Sequence, residues 1–238
     1  VTKIETIKTG TDDAAVITLS DNNAVDSSIT VNTTANTTTS VTLDAHFEDD
    51  STLVYVGGAG GDTVTGTTGA DTITGGAGAD SIVGGAGNDV ISGGAGVDTI
   101  TGGTGADVMT GGAGSDVFFY VGSGYETGSV SPAVIFWGGS VDAGTSISVA
   151  AMDKITDFST GDSIVTSAGG SSTSTVNGVG LAWTTYSGFL KGTYSSTAGT
   201  FVFSTTGTDT LFAYDFDNDS TTNDMRGVVL VGYVDSGT

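Results

Sequence analysis

The sequence predicts an all-β chain organised as a parallel β-roll, or β-solenoid, with further β segments before and after it. Three observations carry that expectation. One nine-residue phrase recurs seven times without a gap over 57–119, as GGAGGDTVT, GTTGADTIT, GGAGADSIV, GGAGNDVIS, GGAGVDTIT, GGTGADVMT and GGAGSDVFF. Its sixth residue is always aspartate (Asp62, Asp71, Asp80, Asp89, Asp98, Asp107, Asp116) and its eighth always apolar (Val64, Ile73, Ile82, Ile91, Ile100, Met109, Phe118). The chain as a whole holds 40 glycines and one proline, Pro132, among many Thr, Ser and Val, a composition of strands and tight turns. A fixed short period marks an architecture in which each unit buries its apolar face on its neighbours.

Within the phrase, the first six residues carry glycine at positions one, two and four, which permits positive φ and a tight turn. The last three, such as Thr72-Ile73-Thr74, form a short strand whose middle side chain points to one side. Turn and strand alternate, so two phrases complete one coil and every second turn stacks on the same edge. One edge then carries Asp62, Asp80, Asp98 and Asp116, and the other Asp71, Asp89 and Asp107.

Stacked carboxylates repel, so such columns call for cations. Calcium takes about six to eight oxygen ligands and accepts backbone carbonyls among them. The turn glycines Gly58, Gly60, Gly69, Gly76, Gly78, Gly85, Gly87, Gly94, Gly96, Gly103, Gly105, Gly112 and Gly114 expose such carbonyls. An aspartate of one turn and one of the next complete each cage, and at least five ions are expected between same-edge neighbours. A flexible acidic linker is the competing reading, but a linker has no reason to hold positions six and eight constant.

The phrase resembles the GGxGxDxUx repeat of the RTX (repeats-in-toxin) family of calcium-binding β-rolls. The resemblance implies the C-terminal part of a bacterial protein exported by type I secretion.

Composition bounds the rest. A length of 238 residues suits one or two domains, divided here as N-terminal coils over 1–56, the roll over 57–119 and a C-terminal β cap over 120–238. Val1 opens inside a β-like pattern without an initiator Met, so the chain reads as part of something longer. Five Lys plus Arg against 27 Asp plus Glu give a formal charge of −22. Nucleic acid and anionic membrane surfaces are poor partners for such a chain. The same charge opposes compaction until metal neutralises it, so folding is expected to depend on calcium. There is no cysteine, and metal is expected to staple the fold instead. No apolar run approaches the roughly 18–20 residues that span a bilayer.

Before the roll, β-branched runs at 15–19, 28–31, 40–43 and 52–56 suit further parallel coils or a small sandwich. Coils are favoured because Val54 and Val56 run straight into the first phrase. Asn32-Thr33-Thr34 and Asn36-Thr37-Thr38 fit a glycosylation sequon, and are read as incidental. His46, beside Phe47, reads as a surface or capping residue.

After the roll, Ala133-Val134-Ile135-Phe136-Trp137 reads as an apolar strand packed on the end of the roll, with an exposed contact surface for a neighbouring subunit as the alternative. Met152-Asp153-Lys154-Ile155-Thr156-Asp157-Phe158 with Gly161-Asp162-Ser163-Ile164 resembles the D-x-I-T-D-F…G-D-x-I element that follows the roll in type I-exported proteins. There it closes the roll with its aspartates near the last calcium sites. The resemblance makes Asp153 and Asp157 candidate ligands, against a plain turn-capping role that extends to Asp162. Asp215, Asp217 and Asp219 alternate in a way that can converge on one cation. They do not form an EF-hand, since Ser220 and Arg226 stand where that loop needs glycine and glutamate. The segment resembles the closing hairpin of serralysin-type RTX C-termini, and Val228–Tyr233 with the polar tail suits an uncleaved export signal.

No enzyme motif is present. His46 stands alone without HExxH, and neither a GxSxG elbow nor a phosphate loop ending in Gly-Lys-Ser/Thr occurs. Two functional classes follow. The Thr/Ser/Val/Gly/Ala composition and β-rich flanks resemble RTX-type surface (S-layer) proteins. That likeness implies a secreted, cell-surface location, copies of itself in a calcium-dependent lattice, the type I secretion machinery and cell-surface polysaccharide as partners. The alternative is the secretion and folding module of an exported enzyme, toxin or adhesin.

Overall fold

The computed structural model describes residues 5–8, 14–20, 28–49, 51–120, 146–148, 152–159, 161–168, 172–177, 187–198, 200–203, 207–215 and 225–232. All regular structure among them is β, and no helix is long and apolar enough to cross a membrane. Ahead of the repeats lie β1 (Glu5–Lys8), β2 (Ala15–Ser20), β3 (Ser28–Asn32), β4 (Val41–Phe47) and β5 (Thr52–Val56). The repeats supply β6 (Thr63–Thr65), β7 (Thr72–Ala77), β8 (Ser81–Ala86), β9 (Val90–Ala95), β10 (Thr99–Thr104), β11 (Val108–Ala113) and β12 (Val117–Tyr120). Beyond them come β13 (Ser146–Ser148), β14 (Asp153–Ile155), β15 (Ser163–Ala168), β16 (Ser172–Asn177), β17 (Ser187–Ser195), β18 (Thr200–Phe203), β19 (Asp209–Asp215) and β20 (Met225–Leu230).

Odd and even strands up to β12 separate into two sheets, each hydrogen-bonded in parallel along the solenoid. The odd sheet continues β11-β14-β20-β19-β17-β18-β13, and the even sheet ends β12-β15-β16. The N-terminal strands are therefore coils of the same solenoid. Their coils are longer: Ile29 lies opposite Leu53, whereas within the repeats Ile73 lies opposite Ile91.

Two apolar columns fill the space between the sheets. In the odd sheet, paired register stacks Ile7, Val31, Tyr55, Ile73, Ile91, Met109, Ile155 and Leu230. In the even sheet it stacks Ile17, Leu43, Val64, Ile82, Ile100, Phe118 and Ile164. From Val31 to Leu230, and from Leu43 to Ile164, every one of these is buried. Position eight of the phrase is thus the core position. Burying an Ile or Leu side chain contributes about 1.5–3 kcal/mol, and no unit can do this without its neighbours.

The D-x-I-T-D-F element differs from the expected closure. It builds one more coil, with Lys154 opposite Val108 and Ile164 opposite Phe118, and the Phe158 ring packs 6.2 Å from that of Phe118. Closure comes later in the chain, where Val228–Leu230 lies parallel to Asp153–Ile155 and starts an antiparallel meander. The 133–137 strand lies outside the described residues, as do Asp217, Asp219 and Tyr233. Asp215 is described only as the end of β19, paired with Met225.

Candidate metal centre

The repeat aspartates are buried, none more than 2 % exposed, as a column on each edge of the solenoid. Every one of them spends one carboxylate oxygen on the coil before it. Asp62 N donates to Asp80 Oδ1, Asp71 N to Asp89 Oδ1, Asp80 N to Asp98 Oδ1, Asp89 N to Asp107 Oδ1 and Asp98 N to Asp116 Oδ1, at 2.6–2.9 Å. The first members of the two columns accept from Val41 N and Leu53 N. At the far end, Asp107 N donates to Asp153 Oδ1 and Asp116 N to Asp162 Oδ1. Asp153 and Asp162 thus extend both columns by one member, across 46 residues rather than 18.

The second oxygen, Oδ2, is without a hydrogen-bond donor in Asp80, Asp89, Asp98, Asp107, Asp116 and Asp153, all fully shielded. A buried carboxylate oxygen with no donor is costly. From Asp80 to Asp116 each points at the first glycine of its own turn. A methyl group on Gly75, Gly84 or Gly93 would collide with Asp80, Asp89 or Asp98 Oδ2, and also with the carbonyl oxygen of Gly93, Gly102 or Gly111 in the next coil. A carboxylate oxygen and a carbonyl oxygen thus face one spot with no hydrogen between them. Two acceptors facing each other require a proton or a cation between them, and an all-oxygen set that includes carbonyls suits calcium.

Among the described residues no three Asp, Glu, His or Cys side chains gather as a metal cluster. The reason is geometric: each turn contributes one carboxylate, and backbone oxygens supply the remainder. A cage of one aspartate from each of two same-edge turns with backbone carbonyls forms no such cluster, and one oxygen of every repeat aspartate is in addition bonded to a neighbouring amide.

Electrostatics agree. Burial pushes the Asp80 and Asp89 carboxyls up to about 7, with neighbouring aspartates of the same column adding to the rise. Burial likewise raises Asp71, Asp98, Asp107 and Asp116, and raises Asp153 well above the usual carboxylate range. Same-edge carboxylates one strand spacing apart repel by on the order of 3 kcal/mol at the effective permittivity of a protein. Calcium relieves both burdens at once.

The glycines divide by role. Positions two and four take positive φ in the last five turns, from Gly76 (115°) and Gly78 (103°) to Gly112 (103°) and Gly114 (151°). Gly85, Gly87, Gly94, Gly96, Gly103 and Gly105 share that conformation. Gly58, Gly60 and Gly69, expected to behave alike, do not. Their backbones pack on carbonyls of Asn36, Thr39 and Ser51, since no glycine turn lies upstream of them. Position one, glycine in every phrase and grouped in sequence with the positive-φ positions, is different: from Gly75 to Gly111 none of these has positive φ, and glycine is needed there for space beside the carboxylate.

Asp157 accepts from Gly111 N and Gly112 N with its two oxygens, at 2.9 and 2.7 Å, which is turn capping. Asp162 Oδ2 accepts from Ser159 N at 2.8 Å. His46 is exposed, paired with Asp44, and its ring lies tilted at 42° against that of Phe47. Asn36 is buried at 1 %, in keeping with an incidental sequon.

No curated protein matches the chain. The family model for the RTX calcium-binding nonapeptide repeat matches residues 56–91 and 92–120, so the column members from Asp62 to Asp116 lie in calcium-binding RTX repeats folded as a β-roll.

Proposed function

We propose that the chain is the calcium-dependent folding and self-assembly module of a secreted bacterial surface-layer protein, structural rather than catalytic. The observation that carries the calcium part is the run of buried, donorless Oδ2 atoms from Asp80 to Asp153. The residues that would hold the ions are Asp80, Asp89, Asp98, Asp107, Asp116 and Asp153, with carbonyls of the glycine turns. Calcium supplies the positive charge that lets these carboxylates stay ionised when buried.

The consequence is a fold gated by location. Where free calcium is scarce, a charge of −22 and the buried carboxylates from Asp80 onward keep the later coils of the roll unfolded. Outside the cell, calcium exceeds the roughly 10⁻⁴–10⁻³ M affinities of extracellular sites. Each site adds about 0.4–1.4 kcal/mol at 1–10 times its Kd. Several coupled sites are needed, which is why the turns come in a run.

Assembly into an array is supported by the architecture on either side of the repeats. Coils precede them and a meander follows, so the whole described chain is one extended β scaffold with no catalytic constellation in its sequence. Two surfaces of like charge meet only through cations, so calcium would also join subunits. A calcium titration read by circular dichroism and light scattering tests both parts. A cooperative gain of β signal with growth into large ordered particles is expected. The same gain in a lasting monomer would overturn the array and leave a folding module for an exported enzyme, toxin or adhesin. No change in either signal would overturn the calcium reading.

A further inference from the structure

We propose that the first two turns of the roll, at Asp62 and Asp71, hold no calcium, and that residues 28–74 fold without it as a seed on which calcium assembles the later coils. The proposal rests on the calcium reading above and narrows it to particular turns.

Both early carboxylates are already satisfied by donors of the chain itself. The Tyr55 hydroxyl donates to Asp62 Oδ2 at 2.7 Å and lies 3.2 Å from Thr33 Oγ1. Tyr55 stands in the apolar column one coil before the phrase begins, opposite Ile73, so a phenol replaces the usual aliphatic side chain where it can reach the carboxylate. The ring is fully buried, and burial holds the phenol proton in place. At the second turn Thr67 N donates to Asp71 Oδ2 at 2.6 Å. Neither oxygen belongs with the donorless set, which starts at Asp80.

The backbone makes the same division. Left-handed glycines at positions two and four begin at Gly76, and none occurs in the turns of Asp62 and Asp71. Thr67 holds position two of the second phrase, and a β-branched residue resists the left-handed conformation that the later turns use. These two turns are also supported from upstream by ordinary loops. Ala59 N donates to the Asn36 carbonyl at 2.9 Å and Thr68 N to the Glu48 carbonyl at 3.1 Å. Calcium at either place would have to displace a buried donor, whereas from Asp80 to Asp116, and at Asp153, it meets oxygens that have none.

Within the segment Val31, Leu43, Leu53 and Tyr55 are buried beneath Val64 and Ile73, which Ile82 and Ile91 of the next coils cover in turn. Parallel coils grow by adding strands to an existing edge, and the slow step is the first pairing across a long loop. A seed free of metal would make that pairing ready before calcium arrives.

The test uses the full chain and calcium itself. Calcium bound per chain is counted by equilibrium dialysis for the wild type and for Asp62→Asn, Asp71→Asn, Asp80→Asn and Asp89→Asn. Unchanged counts are expected for the first two, and a loss of at least one ion for the last two. Hydrogen exchange of the wild type in chelator gives a second reading that needs no variant to fold. Amides of 53–74 are expected to exchange at least about tenfold more slowly than those of 90–117. Loss of an ion in Asp62→Asn or Asp71→Asn, or uniform fast exchange, would overturn the proposal. A wild type that bound no calcium would sink the calcium reading itself, and the exchange contrast would then decide the seed by itself.

Discussion

The amide of Asp107 donates to Asp153 Oδ1 at 2.8 Å across 46 residues, the bond that the Asp89 amide makes to Asp107 across 18. The column is therefore indifferent to how the chain returns, provided an aspartate arrives at the right height. Asp153→Ala leaves a buried amide without its acceptor and removes the last donorless oxygen of that edge. A loss of about 1–3 kcal/mol is expected in calcium-saturated urea unfolding. Asp157→Ala should cost less, because its bonds to Gly111 N and Gly112 N are only partly shielded. Wild-type stability in Asp153→Ala would remove it from the column.

Gly93 and Gly94 are neighbours with different reasons to be glycine. Gly94 has φ of 114°, while Gly93 has an ordinary φ and no room, because Asp98 Oδ2 and the Gly111 carbonyl lie where its side chain would start. Gly93→Ala is expected to cost about 1–3 kcal/mol through overpacking and to lower the number of bound calcium ions. A variant with unchanged calcium count in equilibrium dialysis would show that the spot beside Gly93 is not where the metal acts.

Spacing alone reveals the two aspartate columns and the apolar core, because both repeat at a fixed interval and a period of nine places them on alternate edges. It cannot reveal the coil made by 152–168, because the intervening chain from 120 hides the register. Nor does it show that Tyr55 and Thr67 satisfy Asp62 and Asp71. Those contacts arise where the repeat meets a different coil length, and a change of length breaks the pattern from which partners could be inferred. Asp157 illustrates a third limit: a carboxylate in an acidic turn looks the same in sequence whether it meets a cation or two backbone amides.

The apolar columns set how much each coil contributes. Ile91 is buried between Ile73 and Met109 in its sheet, whereas its neighbour Val90 is 51 % exposed. Ile91→Ala is expected to cost about 2–5 kcal/mol, and Val90→Thr no more than about 0.5 kcal/mol. Urea midpoints at saturating calcium measure both. Equal effects would mean that the core does not run through position eight.

The raised carboxyls reverse the usual dependence of an acidic protein on pH. In the calcium-free roll Asp80 and Asp89 keep their protons up to about 7. In the unfolded chain they release them near the ordinary carboxylate value of about 4. Between these limits the folded state binds more protons than the unfolded one, so its stability falls as pH rises through that window. Calcium-stripped protein should therefore show more β signal at pH 5 than at pH 8 by circular dichroism. Calcium takes the place of the protons, so adding it at pH 7 should release protons into a weakly buffered solution, while low pH should weaken its binding. The Asp80→Asn, Asp89→Asn double variant should lose much of this proton release. A calcium-free roll that gained stability with rising pH would mean that these carboxylates are ionised without metal, and that something other than calcium compensates their charge.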